Sequence, residues 1–325
     1  MGKKEGKVII EMEVYWATIA ATVRYASARI PEPEWREFYG LLLGKIEDKV
    51  NVHVTQAIPM THTKNIGHIL KVQFEEEDYV AAAMIESEAN ERDEFLVGWV
   101  HSHPGIKVMF SQDDIKTQLY WQQANPLAIG IVFNHKRLLN QAEMPAKKGD
   151  PLILLQNDPG FEVYRLDDPD KGIQASYHKV QYEFNDPRPI SEIIQQGKIF
   201  VEDVTQLFPR DNPDKRVTED IQKSIEAVNS AIIGLEEYCK TLARQGQTGR
   251  ISEVIARQRA EIDALIRARN ERIEKQKHLF KFLEYKEREI VMPIVQQAFK
   301  SWEDTIVSVQ PRIDALITLH HAGLR

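Results

Sequence analysis

The chain has 325 residues, one cysteine and a net charge of −7, which leaves room for two domains with separate cores and excludes an internal disulfide, as suits a reducing cytoplasm. Residues 214–325 hold 19 basic and 17 acidic side chains, a net of +2, which leaves 23 and 32, a net of −9, for residues 1–213. An acidic N-terminal half is a poor surface for phosphate, so no nucleic-acid partner is expected.

The first residues, Met1 to Lys7, are charged and lead straight into an apolar strand at Val8–Met12. No apolar segment reaches the length of a membrane span, so neither a signal peptide nor a membrane partner is expected. Trp16, Ile19, Val23, Ala26 and Ile30 then fall at helical spacing, and Pro31 and Pro33 should stop that helix. Strands follow at about 39–46 and 49–58, and Met60 to Val72 reads as a polar loop or hairpin. A helix is expected over 76–90 with Val80, Met84 and Ile85 as its apolar face, then a buried strand from Phe95 to Val100. Further strands are expected at 127–134, 151–155, 161–167 and 174–184. Strands and helices mixed without strict alternation predict an α/β fold of the mixed α+β kind, a curved sheet flanked by helices.

Asn185-Asp-Pro-Arg-Pro189 and Phe208 to Asp214 punctuate the chain and predict domains at 1–185 and 217–325 joined by a connector at 186–216, with Ile190 to Gln206 as a short helix. Beyond Val217 the period is helical. Ile221, Ile225, Val228, Ile232 and Leu235 form one stripe, and Ile251, Ile255, Ile262, Ile266, Ile273, Phe280 and Leu283 another, with a break at Gly246–Gly249. The stripes predict an all-α hairpin or bundle that either packs on itself or docks on the helices of a partner. Arg269 and Gln276 interrupt the register of a strict seam. Pro293 and Pro311 are expected to begin or kink later helices.

The chemistry concentrates at His101-Ser102-His103-Pro104, followed by Ser111 and Asp114. A strand puts residues i and i+2 on one face, so the two imidazoles can reach one ion while Ser102 points away. Ser111 followed three residues later by an acid has the form of a capping box, which places Asp114 in the first turn of a helix. Two histidines and one carboxylate are a frequent ligand set for a catalytic zinc, which keeps its fourth position open to water. A hydrolase also needs a proton acceptor beside that water. Glu37, just ahead of the apolar run Gly40 to Gly44, is the candidate; taken alone it reads as a solvated acid in a short helix. The other histidines carry weaker signals. His135 reads as solvated, His62 and His68 lie in the 60–72 loop, and His320 and His321 belong to a frayed terminus.

Glu37 with Gly40–Gly44, Gly98-Trp-Val-His-Ser-His-Pro-Gly105, Ser111 and Asp114 together resemble the JAMM (MPN-plus) metalloprotease family, most of all its deubiquitinase members in the proteasome lid and the COP9 signalosome. The resemblance covers roughly residues 8–185. It implies a JAMM/MPN domain in which His101, His103 and Asp114 hold Zn2+, Glu37 is the acid/base group and Ser111 stabilises the tetrahedral intermediate. The implied substrates are conjugates of ubiquitin or a ubiquitin-like modifier, and the C-terminal helices would join a helical bundle. Where such relatives commonly carry Trp two residues before the serine, this chain has Met109, so substrate contacts on the 105–110 loop are not carried over. Two further readings stay open: processing of a sulfur carrier or small amide, and an assembly subunit with a latent zinc site. The lone cysteine, Cys239, lies far from the motif in a predicted helix, which argues against a cysteine protease.

Overall fold

The computed structural model describes residues 6–63, 75–139 and 158–322, and the chain divides into two units. The first comprises residues 1–208 together with Lys281–Glu287, a short strap returned from the C-terminal part of the chain. The second comprises Pro209–Phe280 and Arg288–Arg325.

The first unit is built on a mixed eight-stranded sheet. Its strands are β1 (Val8–Ile10), β2 (Phe38–Glu47), β3 (Asn51–His62), β4 (Phe95–Ser102), β5 (Ile129–Phe133), β6 (Phe161–Leu166), β7 (Tyr177–Lys179) and β8 (Tyr182–Phe184). They lie in the order β7-β6-β5-β4-β2-β3-β1-β8. Strand β1 runs parallel to β3 and β8, and β4 parallel to β5, while the other pairs are antiparallel. The expected strand at 174–184 is thus two strands at opposite edges of the sheet. Three residue steps from Lys179 to Tyr182 reach at most ~11 Å, whereas seven inter-strand spacings in a flat sheet would need ~34 Å. The sheet therefore curls until its two edges approach, and the backbone confirms it: Val180 donates to Val163 O and Val8 donates to Gln181 O, both at 2.9 Å.

Helix α1 (Met12–Tyr25) covers one face and is buried on nearly every side, as its apolar composition dictates. Its two buried threonines satisfy their hydroxyls on the carbonyls of Val14 and Thr18, each at 2.8 Å. The helix ends at Tyr25 rather than running to Ile30. The turn that follows is held by the Trp35 indole, which donates to the carbonyls of Ser27 and Ile30. Helix α5 (Ile190–Leu207), in the segment expected to be a connector, packs on α1 within this unit.

The other face carries α2 (Glu76–Asn90) and α3 (Gln112–Ala124). Helix α2 spans the expected residues, but of its expected apolar face only Ile85 turns inward. Ala81, Ile85 and Ala89 pack on Leu41, Leu43 and Met60, whereas Val80 and Met84 are 58% and 49% exposed. Small residues on one stripe let this helix sit close to the sheet, a preference that hydrophobicity alone does not report. Met60 is fully buried because β3 continues to His62, three residues into the expected loop. The rest of that loop from residue 64, with His68, and the expected strand at 151–155 lie outside the described residues.

A one-turn helix α4 (His135–Leu138) follows β5 and corrects the reading of His135 as solvated. The ring is 3% exposed against Trp35, edge to face at 4.9 Å, and burial lowers its pKa to about 4.

The second unit is a bundle of α6 (Pro213–Arg244), α7 (Ile251–Leu279) and the greater part of α8 (Tyr285–Ala322). The stripes pack against one another, and the interruptions of the seam are built in. Arg269 is buried with its guanidinium 3.2 Å from Asp220, and Gln276 is buried beside Ile273 and Leu279 of the same face. The Trp302 indole donates to Asn270 at 2.7 Å. Pro293 and Pro311 both lie inside α8, which continues through them. Among the described residues no helix is long and apolar enough to cross a membrane.

Candidate metal centre

Strand β4 leads to His101 and releases the chain at Pro104, so His101 and His103 leave the sheet two residues apart on one side. Their Nε2 atoms converge to 3.0 Å. Ser102 points the opposite way, where its hydroxyl accepts the Phe38 N–H at 3.0 Å. Asp114 enters from the first turn of α3, with Oδ1 3.2 Å from His101 Nε2 and Oδ2 3.5 Å from His103 Nε2. All three residues are buried.

The separations of 3.0, 3.2 and 3.5 Å, the last two to different oxygens of Asp114, bring one ligand atom of each residue within 4.8 Å of the others, as a shared metal requires. Bonds of about 2.0–2.1 Å to a tetrahedral zinc put neighbouring donors about 3.3 Å apart, so the side chains can hold such an ion with little movement. Three groups supply all the donors, which leaves a fourth corner for a small molecule.

The supporting contacts orient the donors. The His103 Nδ1–H donates to Lys107 O at 2.9 Å, which leaves the Nε2 lone pair facing the shared centre. His101 lies flat against Trp99, with centroids 4.5 Å apart and planes at 14°. The Trp99 indole in turn donates to Gln118 at 2.8 Å, and the Gln118 amide donates to Gln122 and to Ala128 O, both at 2.9 Å. Asp114, Gln118 and Gln122 are therefore one buried polar row of α3 at i, i+4 and i+8. Gln118 as the partner of the Trp99 indole was missed at the level of sequence; the signal was this four-residue spacing of amides behind an acid.

Ser111 caps α3. Its hydroxyl accepts the Asp114 N–H at 3.2 Å while Asp114 Oδ2 accepts the Ser111 N–H at 2.6 Å. Asp114 thus serves the helix start and the histidine pair at once, and Ser111 stays exposed with its own hydroxyl proton available.

Glu37 is not in a helix. It precedes β2, is 8% exposed, and has its backbone clasped by Thr63, whose N–H reaches Glu37 O at 2.8 Å and whose hydroxyl accepts the Glu37 N–H at 3.2 Å. Burial, opposed by His103 and assisted by Asp114, pushes its carboxyl up to about 7. Burial would also raise Asp114, but the two histidines override it and hold that carboxyl well below the usual range. His101 is lowered by its burial, whereas on His103 the effect of burial is outweighed by Asp114 and Glu37 and the pKa rises. The structure thus brings Glu37 into electrostatic contact with the triad. The two carboxyls are thus driven in opposite directions, Asp114 down and Glu37 up to about 7.

Comparison with known proteins covers this part of the chain. Residues 4–127 match the family model described as JAB1/Mov34/MPN/PAD-1 ubiquitin protease, a span that contains Glu37, His101, His103, Ser111 and Asp114. The 26S proteasome regulatory subunit RPN11 of Candida glabrata and the ubiquitin carboxyl-terminal hydrolase RPN11 of Saccharomyces cerevisiae are each 31% identical over 119 residues, 37% of this chain and 37% of their own length. The COP9 signalosome complex subunit 5 of Drosophila melanogaster is 30% identical over 109 residues, 33% of this chain and 32% of its own. The matches therefore span about a third of the length of these relatives.

Proposed function

We propose that this chain, whose first unit carries a JAB/MPN (JAMM) domain, is a zinc-dependent isopeptidase that removes ubiquitin or a ubiquitin-like modifier from protein conjugates. The observation that carries the reading is the convergence of His101, His103 and Asp114 on one point beside a buried Glu37 carboxyl whose pKa is about 7. These three residues would hold Zn2+, and zinc bound there supplies Lewis-acid polarisation of a water molecule and of the scissile carbonyl.

The chain's own groups divide the remaining work. Glu37 takes the proton of the attacking water on its carboxylate and returns it to the departing amine; its burial, which favours the protonated form, suits one group to both transfers. The Ser111 hydroxyl donates toward the oxygen on which negative charge develops, an interaction stronger in the transition state than in the substrate. Asp114 keeps its charge throughout, held by the two histidines beside it, while its Oδ2 accepts the Ser111 N–H. No covalent intermediate is required. Cys239, the only cysteine, is buried in α6 with its thiol pKa raised, which makes it a poor nucleophile. The substrate class follows the ubiquitin-directed activity named for the relatives.

The test is cleavage of a di-ubiquitin or a modifier-fused reporter by the full chain, with and without a chelator, against Glu37→Gln. Chelator-sensitive cleavage that vanishes in Glu37→Gln supports the reading. Zinc binding without cleavage of any conjugate removes it. An assembly role beside catalysis is favoured by Ile290 and Val307, 70% and 73% exposed on α8; oligomeric state by light scattering, with both changed to Gln, tests it.

A further inference from the structure

The strap Lys281–Glu287 belongs to the first unit although α7 and α8 of the second flank it in sequence. It fastens three separate elements of the first unit by charge. Glu287 takes the buried Arg24 guanidinium at the end of α1 through two contacts of 2.5 Å. Lys286 reaches the fully buried Asp78 at the start of α2 at 2.7 Å. Glu284 accepts from His62 Nδ1, at the end of β3, at 2.7 Å.

The last of these leads to the candidate site. Arg36 has donors only, so its 3.2 Å contact with His62 Nε2 requires a lone pair on that nitrogen, and the proton must sit on Nδ1, facing Glu284. One tautomer therefore satisfies both neighbours at once. Tyr25 stacks on the same ring, with centroids 4.1 Å apart and planes at 16°, while its carbonyl accepts the Arg36 N–H at 3.2 Å. Arg36 and Glu37 are consecutive, and so are His62 and Thr63. The ladder partner of His62 is Phe38, so the Arg36–His62 contact is a side-chain diagonal that crosses the Glu37–Thr63 backbone clasp and ties β3 to the segment leading into β2.

We propose that His62 is a positioning residue for Glu37, locked by Glu284 of the strap, so that a segment drawn from the helical part of the chain sets the placement of the acid/base group. His62 then acts through Arg36 and Thr63 and never touches the substrate. This deepens the proposed function and rests on Glu37 being the proton acceptor there.

The test uses the full chain with four variants: His62→Leu, His62→Gln, Glu284→Ala and the double change His62→Leu/Glu284→Ala. Gln keeps an acceptor for Arg36 and a donor for Glu284, whereas Leu keeps neither. Misplacing a reacting group by about 1 Å costs up to roughly 100-fold in rate, so His62→Leu and Glu284→Ala should lower kcat about 10- to 100-fold with KM and zinc content held. The double variant should lose no more than the worse single, and His62→Gln should recover most of the rate. Hydrogen exchange supplies a readout independent of activity: the Thr63 amide should exchange faster in Glu284→Ala while the Val100 amide in β4 keeps its protection. An unchanged Thr63 exchange rate, or equal loss in His62→Leu and His62→Gln, overturns the proposal. If the wild-type chain cleaves no conjugate, the isopeptidase reading falls by itself and the exchange measurement still decides whether the strap holds this contact.

Discussion

Glu37→Gln should make the metal-free protein more stable while it abolishes cleavage. A carboxyl moved from 4.5 to about 7 is held protonated by the fold, and at about 1.4 kcal/mol per pH unit this amounts to about 3 kcal/mol of stress when it is forced to ionise. The folded pKa lies above the unfolded one, so between pH 4.5 and 7 the folded state binds the extra proton and stability falls as pH rises. The stress is absent below pH 4.5 and complete above pH 7. Gln has the shape and neutrality of the protonated acid and escapes it. Urea unfolding of wild type and Glu37→Gln in chelator, followed by tryptophan fluorescence, should give equal stabilities near pH 4.5 and an advantage for the variant that grows to about 3 kcal/mol at pH 8. A Gln variant that is less stable at pH 8, or a difference that does not vary with pH, would refute the burial argument and with it the assignment of Glu37 as a group tuned for proton exchange.

Three other outcomes follow from the same geometry. Asp114→Asn keeps the Ser111 cap but removes the only anionic donor, so zinc affinity should fall by more than the roughly 100-fold that loss of a supporting group costs; competition against a chelator reads it, and unchanged affinity would place the ion elsewhere. The His135 imidazole, buried with a pKa of about 4, should titrate by NMR far below 6.5. Because its folded pKa is depressed, up to about 3 kcal/mol of stability is lost as pH falls from 6.5 to 4, and a midpoint near 6.5 would contradict its burial under Trp35. Gly98→Ala places a Cβ 2.0 Å from the Ile129 carbonyl oxygen, forcing β4 from β5 just before His101. The melting temperature should drop by the equivalent of roughly 3 kcal/mol or more, and a wild-type melting curve would show that the strands do not approach so closely.

What the sequence shows here is what is local. The i, i+2 spacing of His101 and His103 and the three-residue spacing of Ser111 and Asp114 are statements about one strand and one helix turn, and both spacings survive folding. Helix α2 kept its residues and Ile85 of its predicted face but not Val80 and Met84, because which stripe turns inward depends on how near the sheet lies, and Ala81 and Ala89 fit where Val80 would not. Strands β7 and β8 read as one because the two residues between them carry no turn signal; their separation is a demand of sheet closure. His62 looked like a loop residue because its two partners, Arg36 and Glu284, lie 26 and 222 positions away.

The discontinuity of the first unit has a consequence for synthesis. On the ribosome residues 1–208 emerge with three charge-bearing elements still awaiting Glu284, Lys286 and Glu287, and the hairpin of α6 and α7 must be translated in between. At about 5–20 residues per second that wait is roughly 4 to 16 s, a window in which the nascent polypeptide exposes Arg24 and Asp78 without their counter-ions and in which a chaperone would find it unfinished.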